Sequence, residues 1–71
     1  MMVNLPTLEF GDENVFVYVM QAALRYWGYP CEMTGRFDER TLPPLRKFRQ
    51  AHYIYGDTVC DAITWKNLLN D

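Results

Sequence analysis

The sequence predicts an all-α protein, a compact three-helix bundle with two long loops that carry a pseudo-repeat. Apolar residues recur at helical spacing in three separate segments, whereas strand-like alternation is confined to the short stretch YIYGDTV. The chain has 71 residues, which is enough for one small core. We therefore expect a single domain over residues 1–71, with helices at about 13–27, 41–52 and 62–69, and at most a small two-stranded contact between loops.

The first predicted helix has one apolar face and ends at a glycine. The residues that recur on this face are Val17, Met20, Gln21, Leu24 and Trp27. Gly28 follows directly and is typical of a residue that stops a helix. A second loop-and-helix unit therefore begins after it.

The second predicted helix contains two adjacent prolines, Pro43 and Pro44. Because proline is tolerated only in the first turn, we expect a tight turn at 38–41, a regular helix from near Leu42, and Thr41 as its N-terminal cap. The residues expected on its inner face are Leu42, Leu45, Phe48 and Arg49. The third helix is short and is expected to turn Trp65, Leu68 and Leu69 inward.

The loops before these two helices repeat one phrase. TGRFDERT at 34–41 aligns with DTVCDAIT at 57–64, with a constant offset of 23 residues. Phe37 and Cys60 occupy one repeated position, at which we expect an inward-pointing side chain. Asp38 and Asp61 follow, where an acidic side chain can accept hydrogen bonds from the backbone at the start of a helix. The repeat therefore predicts two equivalent helix starts.

Composition excludes several functions. The net charge is −2, which opposes nucleic-acid or anionic-membrane binding and makes a helix-turn-helix DNA binder a poor reading. Neither a signal peptide nor a membrane span is visible, so the chain is expected to be cytosolic or cut from something longer.

Catalytic and metal chemistry find no support in the residue pattern. The single histidine, His52, is expected to pack beside Phe48, and no residues support it as a catalytic base. Cys31 and Cys60 lack ligand-pair spacing. They are interpreted as reduced thiols, with a disulfide left open. We expect no catalytic residues, cofactor or metal.

A second apolar stripe runs along the opposite side of the first helix. Its residues are Val15, Val19, Ala22 and Tyr26. A helix that is apolar nearly all round is usually covered on both sides, so this stripe is a candidate partner interface for a joined catalytic domain, a second copy or the ligand. The alternative is that scattered surface apolar residues carry no function.

An ordered set of apolar, polar and glycine positions runs along the chain: Leu8, Gly11, Val17, Met20, Gln21, Leu24, Gly28, Tyr29, Gly35, Phe37, Thr41, Leu45, Phe48, Asp57, Thr64, Trp65, Leu68 and Leu69. In these residues and their spacing the chain resembles the three-helix peptidoglycan-binding domain of bacterial and phage cell-wall hydrolases. The match spans nearly the whole length. The sequence departs from the family at Arg49, where a glutamine is usual, at Tyr53, where a glycine is usual, and at several loop positions.

The resemblance implies a non-catalytic module that anchors a murein hydrolase, such as an endolysin or autolysin, to glycan strands and peptide stems. The candidate ligand-binding residues are Tyr29, Arg36, Arg40, Tyr53, Tyr55 and Asp57. Tyrosine rings can stack on sugar rings, the arginines can bind carboxylates of the peptide stem, and Asp57 can bind an ammonium group of the stem.

The implied partner in cis is a catalytic hydrolase domain, without nucleic acid or membrane. The implied location is the cell wall or the extracellular space, or the cytoplasm until lysis if the chain is phage-derived. The alternative function is protein–protein docking or self-association through the first helix.

Overall fold

The computed structural model describes residues 4–70, in which three α-helices form the regular structure. The helices are α1 (Val15–Tyr26), α2 (Leu42–Ala51) and α3 (Ala62–Leu68). Within this part of the chain no strand forms, and two isolated bridges join Leu8 to Cys60 and Glu13 to Arg36. The prediction of an all-α three-helix fold is therefore confirmed, with each helix within two residues of its predicted bounds. The first three residues and the last residue of the predicted domain lie outside the described range.

Helix α1 has a defined structure at each end. The side chain of Asn14 caps its N-terminus by accepting hydrogen bonds from the backbone N–H groups of Phe16 at 2.9 Å and Val17 at 3.1 Å. At its C-terminus Gly28 has a φ of 93°, and the N–H of Tyr29 donates to the Leu24 carbonyl at 2.9 Å. This is a Schellman motif, which confirms Gly28 as the stop.

Helix α2 ends in the same motif, but a tyrosine takes the place of the glycine. Tyr53 has a φ of 59° and is the one non-glycine residue with a positive φ in residues 4–70. Its N–H donates to the Gln50 carbonyl at 3.1 Å, and the N–H of Ile54 donates to the Arg49 carbonyl at 2.8 Å. A side chain in this left-handed conformation costs roughly 1 kcal/mol, a cost that glycine avoids.

The predicted capping role of Thr41 is wrong, although the start of α2 is correct. Thr41 has helical angles and makes no side-chain cap; its hydroxyl donates to the Arg36 carbonyl at 3.3 Å instead. A capping side chain bonds the N–H of the second or third helical residue. Those residues are Pro43 and Pro44, which have no N–H.

The two repeated aspartates differ in what they cap. Asp61 caps α3 as predicted, accepting from the Thr64 N–H at 3.2 Å. Asp38 stabilises the predicted tight turn before α2 by accepting from the Arg40 N–H at 3.0 Å. The prediction that Asp38 stands at the start of a helix is therefore wrong by one turn.

The core lies between α1 and the other two helices and includes both repeated inward positions. Phe37 and Cys60 are almost fully buried, as predicted. Trp27 and Leu69 are half-exposed, contrary to prediction, since each is the residue that ends its helix. The other buried apolar residues are Leu8, Val17, Met20, Leu24, Cys31, Leu45, Phe48, Ile54, Trp65 and Leu68.

The segment before α1 runs between the two repeated loops. Leu8 exchanges both backbone hydrogen bonds with Cys60, at 3.0 and 2.8 Å. Three residues later the Gly11 N–H donates to the Phe37 carbonyl at 2.8 Å, and the Phe37 N–H donates to Asp12 at 2.8 Å. The N-terminal segment therefore connects the two loops and aligns them side by side.

Candidate functional site

The first repeated loop is held by one buried side chain from α1, that of Gln21. Its Oε1 accepts from the N–H groups of Thr34 at 2.8 Å and Gly35 at 2.9 Å. Its Nε2 donates to the Arg36 carbonyl at 3.0 Å and to the hydroxyls of Thr34 and Thr41, each at 3.3 Å. Gln21 is 1% exposed, so these bonds replace water entirely. The side-chain amide of Gln21 therefore supplies hydrogen-bond partners to both ends of the first repeated loop.

The second repeated loop is held in the same way by Arg49 of α2. Its Nη1 donates to the Val59 carbonyl at 2.7 Å, the Thr64 hydroxyl at 2.8 Å and Asp61 Oδ1 at 3.3 Å. Its Nη2 donates to the Tyr55 carbonyl at 3.2 Å. The side chain is almost fully buried.

The contacts of Gln21 and Arg49 explain the sequence repeat. The carbonyls of Arg36 and Val59 stand 23 residues apart, as do the hydroxyls of Thr41 and Thr64. Each pair receives hydrogen bonds from a buried side chain of the preceding helix. The repeated threonines are therefore acceptors for these side chains, which their spacing alone did not indicate.

Asp61 is stabilised as a carboxylate by the same network. Burial opposes its ionisation, but hydrogen bonds from the Thr64 hydroxyl at 2.7 Å and backbone N–H, together with the Arg49 charge, lower its pKa below the ordinary value. Ionised Asp61 therefore favours the folded state at neutral pH. This contribution is lost as the pH falls through the lowered pKa.

The two candidate arginines lie on the first loop and are exposed. Arg36 Nε lies 3.8 Å from Glu13, and Arg40 lies 3.2 Å from Glu32 and 3.1 Å from Asp38. The hydrogen bond from Arg40, and then its charge, lowers the pKa of Asp38. Exposed ion pairs of this kind are weak, so a ligand carboxylate can compete for either guanidinium.

The second loop carries the candidate residues Tyr53, Tyr55 and Asp57, all exposed. Tyr53 is 81% exposed and Tyr55 is 71% exposed, so most of each residue is in contact with solvent. Arg49 holds the backbone beneath them through the Tyr55 carbonyl. The loop therefore presents two aromatic rings and one carboxylate on a fixed backbone.

Tyr29 is placed differently from the other two tyrosines. It is half-buried, and its ring meets Phe48 edge to face with a centroid distance of 5.5 Å. His52 lies on the same phenylalanine at 4.3 Å, as expected for a packing role. Tyr29 therefore closes the core, and beside it lies a shallow depression of about 290 Å³ that includes Arg25 and Pro30.

A basic cluster on α2 was missed by the sequence reading. The helix contains Arg46, Lys47 and Arg49 and no acidic residue. Arg46 and Arg49 share one face and line a small pocket of about 100 Å³ against the second loop. The run RKFR at residues 46–49 is the sequence signal for this cluster, but a net charge of −2 for the whole chain does not indicate a local positive patch.

The outer face of α1 borders an open groove of about 600 Å³. Val19, Ala22 and Tyr26 of the predicted stripe line it, whereas Val15 lies beyond it and is exposed. The groove runs between α1 and the end of α3. The remaining lining residues are Ala23, Trp27, Leu68, Leu69 and Asn70.

Cysteines and acids form no recognisable reactive centre within residues 4–70. Cys31 and Cys60 are buried free thiols, and burial raises the pKa of each. In the same range, no three histidine, cysteine or acidic side chains cluster as metal ligands. None of the helices described has the length and apolar character required to span a membrane.

Comparisons with protein families and with curated proteins give no match. No protein-family model matches the chain, and no curated protein is significantly similar to it in sequence. Any relationship therefore has to rest on the residues and on the geometry of the two loops.

Proposed function

We propose that the chain is a non-catalytic peptidoglycan-binding module that holds a murein hydrolase on the cell wall. The observation that carries this proposal is the agreement between the family's residue pattern and the buried residues of the fold. The pattern residues that are buried are Leu8, Val17, Met20, Gln21, Leu24, Phe37, Thr41, Leu45, Phe48, Thr64, Trp65 and Leu68. They occupy all three helices and the repeated positions Phe37, Thr41 and Thr64, so the match extends over most of the core.

The exposed groups on the two loops supply the chemistry that a cell-wall polymer requires. Tyr53 and Tyr55 offer flat rings with a hydroxyl, which can lie on sugar rings and donate a hydrogen bond. Arg36 and Arg40 can bind stem-peptide carboxylates, and Asp57 can bind an ammonium group. Because Gln21 and Arg49 hold the loops in place, binding orders few additional residues.

The benefit of such a module is a high local concentration of the attached enzyme. A tethered hydrolase domain reaches its insoluble substrate as an intramolecular event, even where the module alone binds weakly. The module would act in the cell wall or extracellular space, or after lysis if it is phage-derived.

Tyr53→Gly is expected to stabilise the fold and weaken wall binding at the same time. Glycine removes the cost of the left-handed conformation, so the free energy of unfolding should rise by about 1 kcal/mol. Loss of the exposed ring should weaken co-sedimentation with purified murein by about tenfold. Urea denaturation and pelleting with sacculi measure the two effects on the same sample.

Tyr26→Ala is the matched control, because Tyr26 is also 81% exposed but lies on α1, away from the loops. It should pellet with murein as wild type does. A wild-type chain that stays in the supernatant while a known wall binder pellets would refute the proposed function. Equal losses for the two tyrosine variants would refute the assignment of Tyr53.

Self-association through α1 is a second candidate function, favoured by the groove between α1 and α3. Three residues of the predicted stripe line it, and its described lining includes no charged side chain. A two-fold dimer places a surface against its own copy, so a neutral, apolar surface meets no like-charge repulsion. The occupant that fits best is therefore the same apolar face of α1 in a second chain.

Val19→Lys combined with Tyr26→Lys is expected to convert a dimer to a monomer. The four lysines would face one another across a two-fold interface without a counter-charge. Sedimentation equilibrium measures the mass, and Phe10→Lys with Ile63→Lys is the control, since both residues are exposed but lie outside the groove. A monomeric wild type, or equal behaviour of the two double variants, would exclude this function.

A further inference from the structure

The small pocket between α2 and the second loop has the features of an anion site. Its walls include Arg46, Arg49 and Gln50 of α2 and Tyr55, Gly56 and Thr58 of the loop. None of the lining residues is acidic. A volume of about 100 Å³ exceeds what a water molecule needs and suits a group as small as a carboxylate. The pocket therefore combines a small size with two guanidinium groups.

Arg49 keeps part of its hydrogen-bonding capacity for a ligand. Three of its four bonds to protein leave from Nη1, and one leaves from Nη2. Among residues 4–70 no hydrogen bond uses its Nε. The side of a guanidinium that carries Nε and Nη2 can bind both oxygens of a carboxylate. The low exposure of the Arg49 side chain strengthens such a bond, because few water molecules can reach it.

The charge balance around the pocket favours an anion. Asp61 offsets the charge of Arg49, at 3.3 Å. Arg46 is exposed, and in the described part of the chain no carboxylate lies within ion-pair distance of it. Asp57 is the acid next along the loop, but it does not line the pocket. The site therefore retains roughly one positive charge, which Lys47 of the same helix supports at longer range.

We propose that this pocket binds a carboxylate, with Arg46 and the Nε side of Arg49 as its donors. Resting on the proposed function, the carboxylate is the C-terminal one of a peptidoglycan stem peptide. Tyr53 and Tyr55 lie on the same loop as the pocket, so a glycan strand on the rings would bring its stem peptide close to Arg46. Asp57 lies in the chain between Gly56 and Thr58, which both line the pocket, so its carboxylate is a candidate to bind an ammonium group of the same stem.

The test is a titration of the purified chain, followed by backbone amide NMR shifts. The probes are N-acetyl-D-alanyl-D-alanine, its C-terminal amide, and acetate. We expect the acid to shift the amides of residues 54–58, acetate to shift them more weakly, and the amide probe to leave them unchanged. Arg46→Ala should weaken binding of the acid by about tenfold, because a charged hydrogen bond is lost.

Lys47→Ala is the matched control, since it removes the same charge from the neighbouring position but does not line the pocket. It should keep most of the affinity. Equal binding of acid and amide, or equal losses for the two variants, would overturn the carboxylate site. Acetate that binds as tightly as the dipeptide would overturn its assignment to a stem peptide.

Pelleting with sacculi separates this inference from the proposed function. If the chain pellets with murein but does not bind N-acetyl-D-alanyl-D-alanine, the proposed function stands and the carboxylate site is refuted. If the chain binds the acid at residues 54–58 but does not pellet with murein, the carboxylate site stands and the proposed function is refuted. In either case Arg46→Ala should keep the wild-type unfolding midpoint, because Arg46 is exposed.

Discussion

Replacing Arg49 by alanine is expected to lower the free energy of unfolding by about 3–4 kcal/mol, a large share of the roughly 4–10 kcal/mol typical of a domain this size. The substitution leaves the carbonyls of Val59 and Tyr55 without their side-chain donor and removes the positive charge beside Asp61, which keeps its hydrogen bonds from Thr64. Breaking a fully buried pair costs up to about 5 kcal/mol. Asp61 is 37% exposed, so water compensates part of the loss.

Urea denaturation of Arg49→Ala and of Arg46→Ala measures this effect. Both variants remove one positive charge from α2, but Arg46 is exposed and makes no bond within residues 4–70, so its loss should change stability by less than about 0.5 kcal/mol. The free energy of unfolding of Arg49→Lys should lie between those of the two alanine variants, because an ammonium group keeps the positive charge but lacks the planar set of N–H donors of a guanidinium. A similar midpoint for both alanine variants would mean that Arg49 does not hold the second loop.

Helix positions were predictable because their signals are local. The N-terminal limit of α2 follows from Pro43 and Pro44, and the end of α1 follows from Gly28. The inward residues Phe37 and Cys60 followed from the repeat, since equivalent positions in equivalent loops face the same core. Exposure of Leu69 was missed because helical spacing does not show where a helix ends within its last turn.

The side chains that hold the loops were predictable as buried residues but not in their role. Gln21 and Arg49 were both assigned to the inner faces of their helices from spacing alone. Their partners lie 6 to 20 residues away along the chain, in loops whose path no local rule describes. The pocket beside Arg49 was missed for the same reason, because it forms only where the second loop folds back on α2.

Gln21→Ala is expected to lower the free energy of unfolding by about 2–4 kcal/mol. Five hydrogen bonds disappear: two from backbone N–H groups to Oε1 and three from Nε2 to acceptors in the first loop. Each buried polar group left without a partner costs about 1–3 kcal/mol, but Thr34 and Gly35 are partly accessible to water. The loss of stability should therefore be somewhat smaller than for Arg49→Ala, since Gln21→Ala leaves no charge unpaired.

Hydrogen exchange distinguishes a local effect from a global one in this variant. The amides of Thr34 and Gly35 should lose protection far more than the amides of Val59 and Cys60, because Arg49 still holds the second loop. Gln50→Ala is the control, since it removes the same side chain from an exposed helical position. If both glutamine variants unfold at the same urea concentration, Gln21 does not hold the first loop, and the symmetry between the two repeats fails. If instead Gln21→Ala and Arg49→Ala each loosen only their own loop, the repeat encodes two independently held loops on one shared core.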